Sequence, residues 1–75
     1  MPRYYFNLRT EEAETIDLVG RDCPNDVAAL SEALREAGEI VRHQLFLNKV
    51  EDGWVEVEDA DHREVMLLPL RAAAY

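Results

Sequence analysis

Glu39 and His43 stand four residues apart, and Asp59, Asp61 and His62 crowd one short stretch. Both arrangements use metal-binding chemistry: a four-residue step brings two helical side chains onto one ion, and closely spaced oxygens suit a hard cation. Neither is complete. No second His stands at the same helical interval from His43, and the Asp-rich stretch lacks the later Gly and Glu of a calcium loop. Glu32, Glu36, Glu39 and His43 therefore read as a solvated helix face, neutralised by Arg35 and Arg42 at three- and four-residue steps. Asp59 to His62 reads as a polar turn, where Asp is favoured for backbone reasons. Cys23 needs a neighbouring base to become a nucleophile, and Asp22 and Asp26 beside it work the other way. The chain has no Gly-rich phosphate loop, no Ser-based elbow and no carboxylate pair at a catalytic spacing. These residues point to a non-enzymatic protein with no cofactor and no metal.

Composition narrows the partners. Sixteen acids against eight Lys or Arg give a formal charge of −8 over 75 residues. That balance opposes nucleic acid, whose binding needs clustered positive charge, and an anionic membrane surface. A single Cys excludes an internal disulfide and an all-cysteine zinc site. No apolar run approaches the ~20 residues of a membrane span, and the N-terminal residues lack a signal peptide's apolar core. A cytoplasmic protein is expected, with no small-molecule substrate evident. At this length one domain, residues 1–75, is the limit, and it buries only ~60% of its unfolded surface. Self-association readily supplements so thin a core.

The elements follow from hydrophobic period. Arg3 to Arg9 alternates, with Tyr4, Phe6 and Leu8 on one face. Thr10 to Ala13 reads as a turn, and Glu14 to Val19 as a second strand closed by Gly20. Pro24, the cap Asn25 and the acidic Asp26 then open a helix running to about Leu47. Val27, Leu30, Leu34, Ala37, Val41 and Leu45 recur along it as the expected buried stripe. Gly38 beside that stripe suggests the close approach of a strand. Asn48 to Gly53 is a loop, Trp54 to Glu58 a strand, and Glu64 to Leu70 its hairpin partner. Pro69 ends that strand or places it at an edge. Residues 71–75 read as a frayed tail. The expected fold class is α+β: a small β-β-α-β-β domain, mostly antiparallel sheet, with one helix packed on one face.

One helix covers one face of such a sheet. Tyr4, Phe6, Leu8, Val55 and Val57 belong beneath it. The last strand is apolar on both faces, Val65 and Leu67 on one and Met66, Leu68 and Leu70 on the other. One set must turn outward, where Tyr5 and Trp54 also emerge. Solvated sheet faces are normally polar, and a contiguous apolar surface of a few hundred Å² marks an interaction site. Tyr5, Trp54, Val65, Met66, Leu67, Leu68 and Leu70 thus form the candidate interaction surface. A homodimer is the leading expectation, since two-fold pairing buries a self-complementary patch. A protein partner is second.

Read end to end, the chain resembles a family of short bacterial proteins described only as a domain of unknown function. The likeness rests on the opening Met1-Pro2-Arg3-Tyr4-Tyr5-Phe6, on Asp17-Leu18-Val19-Gly20, and on Pro24-Asn25 before an Ala- and Glu-rich helix. It continues in Asp52-Gly53-Trp54 and in the Leu68-Pro69-Leu70 step. The first turn carries Thr10-Glu11 where the family often has Asp-Gly, His62 replaces a frequent Gly, and Asn7 replaces a frequent His. The resemblance implies the fold and no catalytic residue. In layout alone the chain is also similar to the antitoxins that neutralise bacterial RNA-cleaving toxins. The alternative function is accordingly an acidic binder, with Glu32, Glu36, Glu39, Glu56 and Glu58 complementing a basic protein.

Overall fold

The computed structural model describes residues 2–49 and 51–73. Alternating residues build β1, Arg3–Thr10. Thr10 closes the turn after it: its N–H donates to the Ala13 carbonyl at 2.8 Å, and the Ala13 N–H donates back to the Thr10 hydroxyl at 3.2 Å. Two short strands follow, β2 (Glu14–Thr15) and β3 (Arg21–Asp22), then helix α1 (Asp26–Phe46), β4 (Gly53–Glu58), β5 (Glu64–Pro69) and a 3-10 turn at Leu70–Ala73. All pairings are antiparallel. The order is β2-β1-β4-β5, with β3 also pairing to β1 at Arg3 and Tyr4. The result is an α+β domain: a five-stranded sheet with one helix on one face. No helix among the described residues is long and apolar enough to cross a membrane.

The continuous strand expected over Glu14 to Val19 does not form. Asp17 is the reason. Its carboxylate accepts the N–H groups of Phe6, Val19 and Gly20 at 3.0–3.1 Å, and its own N–H donates to the buried Asn7 side chain at 2.9 Å. A side-chain oxygen thus stands where a partner strand's carbonyl would meet β1, dividing the ladder into β2 and β3. Gly20 completes the loop with φ +76°, and a Cβ there would come within 2.9 Å of the Tyr4 carbonyl. Leu18 and Val19, released from the sheet, are exposed.

Asn25 caps α1 as its type predicts, accepting the Ala28 N–H at 2.9 Å. The Tyr4 hydroxyl donates to the Asp26 carboxylate at 2.6 Å and ties the helix start to β1. The buried face of the helix, however, is Ala29, Ala33, Ala37, Val41 and Gln44. The expected stripe is therefore displaced: Val27 is 73% exposed, Leu45 61%, and Leu30 and Leu34 39% each. Small residues win because they let the helix sit close on a sheet that already supplies bulk from Tyr4, Phe6, Val55 and Val57, all buried. A methyl group on Gly38 would meet nothing within 4 Å, so the strand expected to approach it does not.

Cross-strand partners share a face, so Leu8↔Val55↔Leu68 and Phe6↔Val57↔Met66 run beneath the helix. Leu70 follows them inward and is 2% exposed. A register shift at Val57/Glu58 bulges β5 and turns Val65 partly onto the core. Pro69 ends β5, which is also the sheet's edge strand. Arg71 to Ala73, expected to fray, belong to the 3-10 turn packed against α1. Ala74 and Tyr75 lie outside the described residues.

Candidate functional site

At about 100° per residue, α1 carries two unlike flanks beside its alanine face. Glu32, Glu36 and His43 form one. Arg21 of β3 reaches both glutamates, so this flank lies over the β2/β3 side of the sheet. The opposite flank, Val27, Leu30, Leu34 and Leu45 with Gly38 among them, therefore lies over β5. The contacts of α1 agree, made with β4, β5 and the 3-10 turn. β5 is an edge strand with Leu67 half exposed. Four aliphatic side chains on a helix and a free strand edge thus meet along one side of the molecule. Phe46 and Leu47 are exposed too, but Leu47 lies on the other side of the helix, beside Leu8, Glu39 and His43.

The candidate surface read from the sequence divides between the two faces of the sheet. Leu70 is buried, and Met66 and Leu68 pack on the core under the helix, because their partners Val57 and Val55 face it. Val65 is drawn partly inward by the bulge. Tyr5, Trp54 and Leu67 point outward. The His62 ring lies against Tyr5 with centroids 4.6 Å apart. Trp54, 37% exposed, and Leu67 remain as diagonal neighbours across β4 and β5, among Arg9, Glu56 and Glu58. That outer face is more polar than expected. The larger apolar surface is the helix flank, which apolar spacing alone assigns to the core; the repeated Ala29-Ala33-Ala37 step is the signal that places it outside.

Several of the residues with metal-type chemistry are engaged in ion pairs or turns. Glu39 pairs with Arg35 at 3.2 Å, and Arg35 also holds Glu32. The Arg35 hydrogen bond keeps the Glu32 carboxyl below its usual range. Neutralisation thus runs through Arg35 and Arg21 rather than through Arg42. Arg21 also stacks over the Phe6 ring at 5.1 Å. In the hairpin, Asp59 accepts the N–H groups of Asp61 and Arg63 at 2.9 and 3.0 Å, forming the turn. His62 has φ 61°, the left-handed conformation of a tight turn. Among the described residues no group of three His, Cys, Asp or Glu side chains is placed to share a metal. Cys23 is 3% exposed, and burial, followed by the Glu32 charge, pushes its thiol up. Glu64 is also raised, by a hydrogen bond shared with Glu56.

No curated protein and no solved structure matches this chain. One family model does, over residues 3–71, a span that takes in the whole sheet, the helix and the first residues of the 3-10 turn. The chain belongs to the family described as "Domain of unknown function (DUF6894)".

Proposed function

We propose that this protein is a non-catalytic, self-associating domain whose two copies meet along β5 and the apolar flank of α1. The observation that carries the reading is the adjacency of an unpaired strand edge to Val27, Leu30 and Leu34, all exposed. Each feature alone invites association: edge strands present unpaired N–H and C=O groups, and apolar strips of this kind are rarely left to water. Antiparallel pairing of β5 with its own copy is a two-fold operation, and it brings the two flanks to the same seam. The helix and strand are about 31 and 20 Å long, so a strip ~20 Å wide along them offers about 600 Å² per copy. Stable interfaces begin near 600 Å² per partner.

The acidic-binder reading has weaker support. Glu32, Glu36 and Glu39, named for a basic partner, already pair with Arg21 and Arg35. Charge also sets the conditions for association: a formal charge of −8 on each copy makes an apolar seam salt-promoted, since salt screens the repulsion between copies.

The double variant Leu30→Glu/Leu34→Glu tests the reading. Light scattering should give about twice the 8.6 kDa chain mass for the parent and the chain mass for the variant, with helical circular dichroism retained. A parent that stays at the chain mass at high micromolar concentration and raised salt contradicts it.

A further inference from the structure

Along an antiparallel pair, residues that bond each other alternate with residues that turn their backbone groups away. The N–H groups of Phe6 and Thr10 point away from β4, to Asp17 and Ala13. Tyr5, Asn7 and Arg9 therefore bond β4 through Glu58, Glu56 and Trp54. Val55 and Val57 turn the other way and bond Leu68 and Met66 of β5. Leu67 and Pro69 are left facing the open edge. Pro69 has no N–H to offer, and an outward edge position is where a strand tolerates proline. At the other end, the Asp59 N–H donates to the Arg63 carbonyl, so Glu64 also turns outward. The register shift at Val57/Glu58 then puts two residues, Val65 and Met66, between Glu64 and Leu67. Leu67 is thus the one residue in the regular part of β5 that presents both a donor and an acceptor to the edge.

We infer that the β5 edge accepts a second copy in one register only, Leu67 against Leu67 of the copy, with the two α1 helices crossing at Gly38. The inference rests on self-association along β5 and names what fixes its geometry. A single residue that both donates and accepts is fully satisfied by its own two-fold image. Pairing with Pro69 of the copy leaves the Leu67 carbonyl without a donor. Pairing with Glu64 of the copy sets the Glu56, Glu58 and Glu64 carboxylates of both chains side by side. An added peptide strand draws its affinity from a row of main-chain bonds, which this edge does not offer. The axis also accounts for Gly38. α1 runs in the direction of β5, from Asp26 beside Tyr4 to Val41 and Gln44 beside Leu70. Leu67 precedes Leu70 by three residues, roughly 10 Å, which is six to seven residues along the helix, at the Leu34–Gly38 turn. No neighbour within the chain comes near a Cβ on Gly38, yet a mid-helix glycine costs about 1 kcal/mol against alanine. A helix over β4 and β5 stands one strand spacing from such an axis, so about 10 Å separates the two helices, the ordinary packing distance. A glycine there lets the backbones approach.

Amide hydrogen exchange on the full nitrogen-15-labelled chain, with sedimentation on the same samples, tests this. The Leu67 amide should exchange freely where the mass is 8.6 kDa and about tenfold or more slower in the dimer, the size of one hydrogen bond. Leu67→Pro removes an N–H that no bond within the chain uses, so helical circular dichroism should persist while the dimer dissociation constant rises about tenfold or more. Gly38→Leu puts a better helix former into open space, so the single copy should be at least as stable and the dimer weakened by a similar factor. Titrating Gly38→Leu with a synthetic peptide of residues 63–70 should leave its Leu67 amide unprotected; protection would overturn the exclusion of an added strand. A dimer whose Leu67 amide exchanges as fast as in the single copy, or one that survives both substitutions unchanged, overturns this register and leaves self-association standing. A parent that stays at one chain mass in raised salt overturns both.

Discussion

Asp17 organises more backbone than any other single side chain described. Burial alone would raise its carboxyl, but the N–H groups of Gly20, Phe6 and Val19, with Arg21 nearby, outweigh burial and lower it. A carboxylate with a depressed folded-state pKa contributes stability above its unfolded pKa of ~3.9, and that contribution is lost as pH falls through the lower folded value. Asp17→Ala should therefore cost about 1–2 kcal/mol at neutral pH, read from urea midpoints. The gap between parent and variant should close in strong acid; a constant gap at all pH values contradicts the assignment. Tyr4 shows the opposite direction. Its hydrogen bond to Asp26, then burial, push its hydroxyl up to about 12. The folded state favours the neutral phenol, so its contribution is complete below the unfolded value of ~10 and lost as pH rises through the folded one. Absorbance titration at alkaline pH should show one late tyrosine, absent in Tyr4→Phe. The Asp17-to-Gly20 step was legible as a chain-closing signal. Its hydrogen-bonding role was not, because a side-chain acceptor inserted into a strand edge leaves no hydrophobic period to read.

Element by element, strand alternation and helix caps were readable because each depends on neighbours in the sequence. β1, β4 and the helix ends lie within a residue of their expected limits. The facing of α1 was not readable in the same way. Counting apolar residues favours Leu30 and Leu34 over Ala29 and Ala33, whereas a helix seated on a sheet of aromatic and β-branched side chains is limited by space. The face of β5 posed a similar ambiguity: both sides are apolar, and only its register with Val55 and Val57 decides which turns inward. Gly38 supplies a prediction at this scale. It lies in mid-helix with open space around it, so Gly38→Ala should stabilise the domain by up to about 1 kcal/mol in thermal or urea unfolding. A loss of stability at concentrations where the chain is a single copy contradicts the open space around Gly38.

The whole molecule measures 38 × 23 × 17 Å and exposes 5118 Å². A folded monomer of this mass is expected to expose about 4,700 Å². The excess fits a chain in which Val27, Leu30, Leu34 and Leu45 sit beside the core rather than within it. Small residues fill the helix–sheet seam, so a single copy has limited apolar burial to offset its chain entropy. Association would therefore be part of its stability, and its unfolding midpoint should rise with protein concentration, as it does for any species that binds only the folded state. A midpoint independent of concentration would assign the exposed flank no such role. The direct test is sedimentation equilibrium on the parent chain over a wide concentration range in raised salt. A domain that pairs through β5 and the α1 flank should show a mass that climbs from 8.6 kDa and levels at twice that value. A mass that remains at one chain throughout contradicts such pairing.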